Sequence, residues 1–293
     1  MVDFWKEASN LFKHYELTYE EFLFDISTDF SDIFQQAKEH DFFYGGELKL
    51  IISSDSKDPD IIRIRNTVAV NFVHILFLCM NLSFPGSLNL LKCRIKNSEQ
   101  MKEEVSFTSY YFESAWGIND EYEWPSIKKI PLDIVIKWYN SLNINSKMIA
   151  ETNVEKTLFS ILDFCNYDYD DNPTLIVWIT NALEAFYGIK SRDSIVHSLK
   201  NRMYLHLNNP NQSKRINKKI NEFYSYRSAF VHGDMKILRH GSSKYIYNDT
   251  IDLYFDELWK LCEFGNALII SSIQKLILLD KKSLSFKEEI EYR

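Results

Sequence analysis

Glycine and proline are scarce in this chain, with 8 glycines and 6 prolines among 293 residues. So low a content disfavours glycine-rich nucleotide-binding folds and turn-dense all-β architectures. The glycines form no GxGxxG and no GxxxxGK motif, which excludes dinucleotide-binding and P-loop sites. The 4 cysteines form no CxxC pair, so zinc ribbons and thioredoxin-like redox sites are excluded and a disulfide framework is not expected.

We expect no signal peptide and no membrane span in this sequence. Its first ten residues, MVDFWKEASN, do not have the basic-then-apolar order of a signal peptide. The longest apolar stretch, Val68 to Phe84, carries Asn71, His74 and Asn81, and it is too short and too polar to be a confident membrane span. Hydrophobic residues make up 45% of the chain and aromatic residues 15%, which is ample for a core. We therefore predict a cytoplasmic globular protein that does not contact a membrane.

Charge is distributed unevenly along the chain. Residues 1–150 hold 15 basic and 22 acidic side chains, which gives −7, whereas residues 151–293 hold 19 of each. Within the neutral half, residues 211–240 contain seven basic and two acidic side chains, a local excess of +5. The basic members are Lys214, Arg215, Lys218, Lys219, Arg227, Lys236 and Arg239. Such a cluster is either a solvated helix face or the electrostatic footprint of an anionic polymer.

Residues 1–149 predict an α+β module without a recognisable catalytic constellation, and we expect this module to sense or regulate. Hydrophobic periodicity and alternation place its elements along the chain. The expected elements are a short helix at Phe4–Tyr15, a hairpin entering a strand at Phe43–Ser54, a buried helix at Thr67–Leu82, and strands at Leu88–Ile95 and Val105–Phe112. The β-branched and aromatic residues of Thr67–Leu82 leave a strand as the alternative for that segment. Pro131 then opens a helix at Leu132–Leu142.

Residues 150–293 predict an all-α helical bundle. Helical segments alternate with short polar turns, and glycines mark two of the helix ends. The predicted helices are Glu155–Cys165, Pro173–Tyr187, Asp193–Leu207, Ser213–His232 and Asp249–Leu279.

The helix Ser213–His232 carries an arginine on its apolar stripe. The stripe is formed by Ile216, Ile220, Phe223, Phe230 and Val231, and position 227 belongs to it. A guanidinium that faces a bundle interior needs an anionic partner, either a carboxylate or a ligand phosphate. The best internal candidate is Glu184, which forms a polar strip with Asn181 on the flank of the second bundle helix, although a lone helical glutamate is often simply exposed.

His232 follows Arg227 by five residues, which on a regular helix places the two about 140° apart. Because Gly233 ends the helix, we expect the last turn to fray and His232 to swing towards the arginine. A titratable histidine can take or give a proton near neutral pH, and an arginine can stabilise charge on a phosphate. This pair is therefore a minimal set for phosphodiester chemistry that needs no metal and no cofactor.

The R-x4-H spacing alone is not specific, because the chain contains it twice. The second match, Arg192–His197, opens the third bundle helix and has no glycine after its histidine. We interpret His197 as an ordinary helix-surface residue.

The first match has a context that resembles a known family. The stretch FYSYRSAFVHGD, residues 223–234, is similar to the signature helix of the HEPN superfamily, and ALEAFYG, residues 182–188, is similar to the second helix of its Apea-like branch. The resemblance covers about residues 150–282 and does not extend to residues 1–149. It implies a metal-independent endoribonuclease used in phage defence, as a toxin or in RNA processing, with two motifs facing one cleft of a homodimer.

Carried over by residue, the resemblance implies catalytic roles for Arg227 and His232. Supporting positions are Tyr224, Ser228, Asn181 and Glu184, and the products are 2′,3′-cyclic phosphate and 5′-hydroxyl ends. The expected partners are RNA, a second copy of the chain, and an antitoxin or regulatory protein. We predict that the RNA backbone follows Lys214, Lys218, Lys219, Lys236 and Arg239. The alternative hypothesis is a non-catalytic dimer of the same type that binds nucleotide or RNA, or scaffolds a partner.

Overall fold

The computed structural model describes residues 22–24, 46–48, 61–96, 102–144, 147–166, 173–189, 195–208, 213–237 and 249–286. Within them lie four strands, β1 Phe22–Phe24, β2 Gly46–Leu48, β3 Leu90–Lys96 and β4 Lys102–Phe107. The helices are α1 Ile61–Ser83, α2 Tyr110–Tyr122, α3 Leu132–Ser141, α4 Asn153–Phe164, α5 Leu175–Phe186, α6 Ile195–Leu207, α7 Ser213–His232 and α8 Asp249–Leu278. The described chain is mostly helical.

The predicted helical bundle is confirmed. Helices α4 to α8 begin and end within two residues of the predicted bounds. The buried helix predicted at Thr67–Leu82 is the larger part of α1, and the predicted helix at Leu132–Leu142 is α3. The predicted helix at Phe4–Tyr15 and most of the predicted hairpin at Phe43–Ser54 lie outside the described residues.

The four strands form one antiparallel sheet in the order β2-β1-β3-β4. The strand predicted at Leu88–Ile95 corresponds to β3, but the prediction of a strand over Val105–Phe112 is wrong in its second half. There β4 ends at Phe107 and α2 begins three residues later. Aromatic side chains raise strand propensity, yet Tyr111 and Phe112 are fully buried from one face of a helix. Tertiary packing therefore overrides the local preference.

Helix α8 is the central helix of the core. Its residues from Leu258 to Ile277 are mostly buried, and it contacts α2, α5, α7, α3 and α6. By length and composition, Ile251–Leu278 is apolar enough to cross a membrane, but 83% of its most apolar window is buried inside the protein. In this structure that apolar surface packs against the neighbouring helices.

The hydrophobic core crosses the predicted boundary at residues 149 and 150. Phe77 and Phe112 pack edge to face, and Tyr111 packs in the same way against Phe164 of α4. The buried amide of Gln274 in α8 donates to the carbonyl oxygens of Leu82, at 3.0 Å, and Lys128, at 2.7 Å. The described part of residues 61–144 therefore shares one core with the bundle and does not form a separately packed module.

Helix α4 begins at a capping box. The Thr152 hydroxyl accepts from the Glu155 backbone N–H, and the Glu155 carboxylate accepts from the Thr152 backbone N–H at 3.0 Å. Lys147 also donates to this carboxylate at 3.0 Å. These bonds fix the entry to α4, which packs against α5 and so helps to position Glu184.

Candidate functional site

Helix α7 lies against α5, α6 and α8, and its buried stripe fixes its orientation. Ile216, Ile220 and Phe223 are almost completely buried, and the Tyr224 side chain is 6% exposed. Arg227 is half-buried one turn further on, where the stripe continues to Phe230. The predicted stripe is therefore buried only as far as Tyr224 and partly buried at Arg227 and Phe230. The prediction that Val231 belongs to it is wrong, because this side chain is 49% exposed at the helix end.

Arg227, Tyr224 and Glu184 form a polar cluster between α7 and the end of α5. Burial raises the pKa of Glu184, and the Arg227 guanidinium partly opposes that rise. Burial also holds the pKa of Tyr224 well above its usual range, with a further rise from the Glu184 carboxylate and an opposing effect of Arg227. These mutual influences show that the three side chains share one local electrostatic environment. The structure places Arg227 near Glu184, the internal partner that the sequence offered for it, and Tyr224 lies with them.

Three buried atoms of this cluster have no hydrogen-bond partner among the described residues, namely Glu184 Oε1, the Tyr224 hydroxyl and Arg227 Nε. Buried polar atoms are normally satisfied, and an unsatisfied one costs about 1–3 kcal/mol. Each unsatisfied group in a native structure calls for an explanation, such as a catalytic role or a bound water or ion. Arg227 lies near a carboxylate that does not satisfy its Nε, and an anion bound at this place would do so.

His232 is exposed at the last residue of α7, and the helix remains regular up to it. Gly233 adopts a φ of 81°, which a glycine reaches without strain. The chain then closes the helix end, because the Asp234 N–H donates to the Ala229 carbonyl oxygen at 2.9 Å. The expected fraying is therefore absent, and a regular helix points His232 and Arg227 in directions about 140° apart. The structure does not bring this pair together within one chain.

The other predicted supporting residues lie at the edge of the cluster or outside it. Ser228 is exposed on α7. Asn181 is also exposed, and its amide donates to the Ser160 hydroxyl at 3.3 Å, so it contacts α4 rather than Arg227.

One carboxylate, that of Glu222, partly neutralises the basic residues predicted to follow the RNA backbone. Lys218 and Lys219 both contact Glu222, at 3.7 and 3.5 Å. Lys214 and Lys236 are exposed, and Arg239 lies outside the described residues. A track along Lys218 and Lys219 therefore carries less free positive charge than the sequence predicts.

Side chains of α6 that the sequence did not single out line the neighbouring edge of α7. Lys200 Nζ donates to Asn221 Oδ1 at 2.7 Å, and the Tyr204 hydroxyl donates to Asn217 Oδ1 at 2.9 Å. The only sequence signal for this edge is that α6 contains no acidic residue. Which helix it borders depends on the tertiary packing.

Among the described residues, no three or more His, Cys, Asp or Glu side chains are grouped in a way that could hold a metal ion. No protein-family model, curated protein or solved structure matches this chain.

Proposed function

We propose that this chain is a metal-independent endoribonuclease of the HEPN type that acts in phage defence or as a toxin. The observation that carries the proposal is the half-buried Arg227 guanidinium beside Glu184 and Tyr224. Buried polar atoms of all three side chains have no partner in the part of the chain that the structure describes. A guanidinium in that state is suited to a scissile phosphate and to the charge that develops on it. His232, five residues away, supplies a titratable group at the same helix end.

The reaction needs no covalent intermediate with the protein. A histidine takes the proton of a ribose 2′-hydroxyl, and the 2′-oxygen attacks the adjacent phosphorus. The bond from phosphorus to the 5′-oxygen breaks, and a second histidine gives that oxygen a proton. The products are a 2′,3′-cyclic phosphate and a 5′-hydroxyl.

A homodimer supplies what one chain lacks. One chain offers one credible Arg/His pair, and its two members point to different sides of α7. Large apolar side chains around this helix end are exposed, with Val231 at 49%, Ile237 at 66% and Leu253 at 62%. We propose that a two-fold axis passes near this surface, so that a second copy covers the apolar residues and places its own histidine across the cleft.

We include in the proposal the sensing or regulatory role of residues 1–149 as an α+β part of the protein. Because the core is continuous, a change in this part reaches α8 directly, and α8 packs against α7. Gln274→Met removes the three hydrogen bonds that join the Gln274 side chain of α8 to Leu82 and Lys128. We expect it to alter the cleavage rate more than the RNA affinity; equal changes in both would contradict the role.

The test is incubation of the purified full-length protein with single-stranded RNA in EDTA. We expect cleavage that leaves 5′-hydroxyl ends, detected by direct kinase labelling without prior phosphatase treatment. His232→Ala and Arg227→Ala are each expected to lower the rate at least 100-fold. Arg215→Ala is the matched control, because Arg215 lies on the same helix but contacts Glu121 and the ring of Tyr122.

The second candidate is a non-catalytic dimer that binds RNA or nucleotide, or scaffolds a partner. The wide separation of Arg227 and His232 around α7 favours it. RNA binding without cleavage, unchanged by His232→Ala, would support this candidate over the nuclease. Mixing Arg227→Ala and His232→Ala proteins separates the models further, since a composite site restores one intact motif in the heterodimer.

A further inference from the structure

Helices α6 and α7 are joined at their solvent edge by two hydrogen bonds between side chains. These bonds link Lys200 to Asn221 at 2.7 Å and Tyr204 to Asn217 at 2.9 Å. From the first pair to the second, the residue number rises by four on α6 and falls by four on α7. The two helices therefore run antiparallel. The same register places His197, one turn before Lys200, roughly level with Tyr224.

The α7 side of this edge is a polar row that ends at the candidate site. Its members recur at the spacing of one helix face, with intervals of 3, 4, 7 and 4 residues. They are Lys214, Asn217, Asn221, Ser228 and His232. On α6 the facing residues are His197, Lys200 and Asn201, and the Asn201 amide contacts His197 Nε2 at 3.0 Å. We name these eight residues the polar seam.

The chemistry of the polar seam suits a nucleic acid backbone. It offers cationic, amide, hydroxyl and imidazole groups and contains no carboxylate, and α6 has no acidic residue at all. Partial burial removes some water from the Lys200 ammonium, and a less hydrated cation attracts a phosphate more strongly. From Asn217 to His232 the seam runs 15 residues of helix, about 22 Å.

We propose that the polar seam binds a single RNA strand and leads it to His232. This inference rests on the proposed function for its substrate class and adds the path that the substrate takes. Packed helices lie about 8–10 Å apart, so the seam is narrower than an A-form duplex and fits one backbone. The path along Lys218 and Lys219 is less favourable because Glu222 contacts both lysines. His197, interpreted from sequence as an ordinary surface residue, then lies on the substrate path.

The test measures binding separately from cleavage. A fluorescently labelled single-stranded RNA is titrated with the full-length His232→Ala protein in EDTA, and the anisotropy gives the Kd. Lys200→Gln is compared with Lys137→Gln, a matched control that makes the same change in charge at an exposed residue of α3. We expect Lys200→Gln to weaken binding about 5- to 10-fold and to lower the salt slope by about 0.7. Lys137→Gln is expected to change the Kd less than 2-fold.

Two further arms keep the result interpretable. Lys200→Arg retains the positive charge, and we expect its Kd to lie within 2-fold of the value for the protein with Lys200. Weakened binding by Lys200→Gln alone is then an effect of the lost charge and not of any substitution at this position. Duplex RNA of the same length is expected to bind at least 10-fold more weakly than the single strand. The proposal is wrong if the two glutamine variants weaken binding equally, or if duplex RNA binds as tightly as the single strand.

The seam and the proposed nuclease fail in different ways. Normal cleavage by Lys200→Gln with unchanged affinity refutes the seam and leaves the nuclease intact. Binding that depends on Lys200, with no cleavage by the wild-type protein, supports the seam and refutes the nuclease. Absence of any RNA binding by the full chain refutes the seam.

Discussion

The pair of Glu184 and Arg227 gives the sharpest prediction, because the structure fixes the sign of each single effect. Burial raises the pKa of Glu184 above its ordinary value of 4.5, and the opposing attraction of Arg227 is the smaller influence. Compared with the unfolded chain, the folded state therefore favours the neutral carboxyl, and ionisation of Glu184 lowers the free energy of unfolding. Glu184→Gln removes the charge at nearly constant volume, so we expect it to stabilise the protein slightly while lowering RNA cleavage.

The size of the coupling follows from Coulomb's law. Among the described residues, no direct ion pair joins Glu184 and Arg227, so their charged atoms are more than 4.0 Å apart. Unit charges about 6 Å apart interact by about 1–3 kcal/mol at effective dielectric constants of about 20–40. Arg227→Met keeps the apolar stem on the stripe and removes the guanidinium. In that background, Glu184→Gln is expected to stabilise the protein by about 1–3 kcal/mol more than it does in the wild type.

The assay is urea unfolding followed by tryptophan fluorescence, for the wild type, both single variants and the double variant. A carboxyl with a raised pKa loses stability as the pH rises from its unfolded value through its folded value. The wild type should therefore lose stability as the pH rises from about 4.5, and Glu184→Gln should reduce that slope. The reasoning is refuted if the coupling is below about 0.3 kcal/mol, or if Glu184→Gln destabilises the wild type by more than about 1 kcal/mol.

Four other predictions concern the scaffold of the protein. Thr152→Ala breaks the capping box of α4, so we expect the free energy of unfolding in urea to fall by about 1 kcal/mol. An unchanged value would mean that water replaces the lost hydrogen bond. Burial raises the pKa of Glu155, but the hydrogen bonds from the backbone and from Lys147 outweigh it and lower the pKa to about 2. The stability that Glu155 contributes should therefore be present above pH 4.5 and disappear as the pH falls towards 2. Glu155→Gln should make the free energy of unfolding less dependent on pH in that range. Gly265→Ala places a Cβ 2.8 Å from side-chain atoms of Ile179 and Phe223, and should lower the free energy of unfolding by about 1–3 kcal/mol; an unchanged value would mean that the ring moves freely. All four cysteines are buried and free, so a thiol reagent should react with none of them before unfolding, and fast labelling of the native protein would contradict the packing.

Local signals determined the helices of the bundle. The apolar stripe of α7 and the glycine that follows it predicted both ends of this helix, and the same stripe predicted that Arg227 faces the core. These inferences succeed because helix periodicity and end signals depend on neighbours three or four residues away. The strand predicted at Val105–Phe112 failed because its aromatic residues fit either a strand or a helix, and burial against distant side chains decided between them.

The same distinction between local sequence and tertiary packing applies to the candidate site. The sequence by itself determined which side chains α7 can offer, since the order of Tyr224, Arg227, His232 and Gly233 fixes their angular positions on a helix. Only the tertiary structure decided what those side chains meet. It placed Glu184 beside Arg227 and set Lys200 against Asn221, although more than 20 residues separate the members of each pair. Contacts at that separation depend on how helices pack, and no local pattern in the chain specifies which polar edges will face each other.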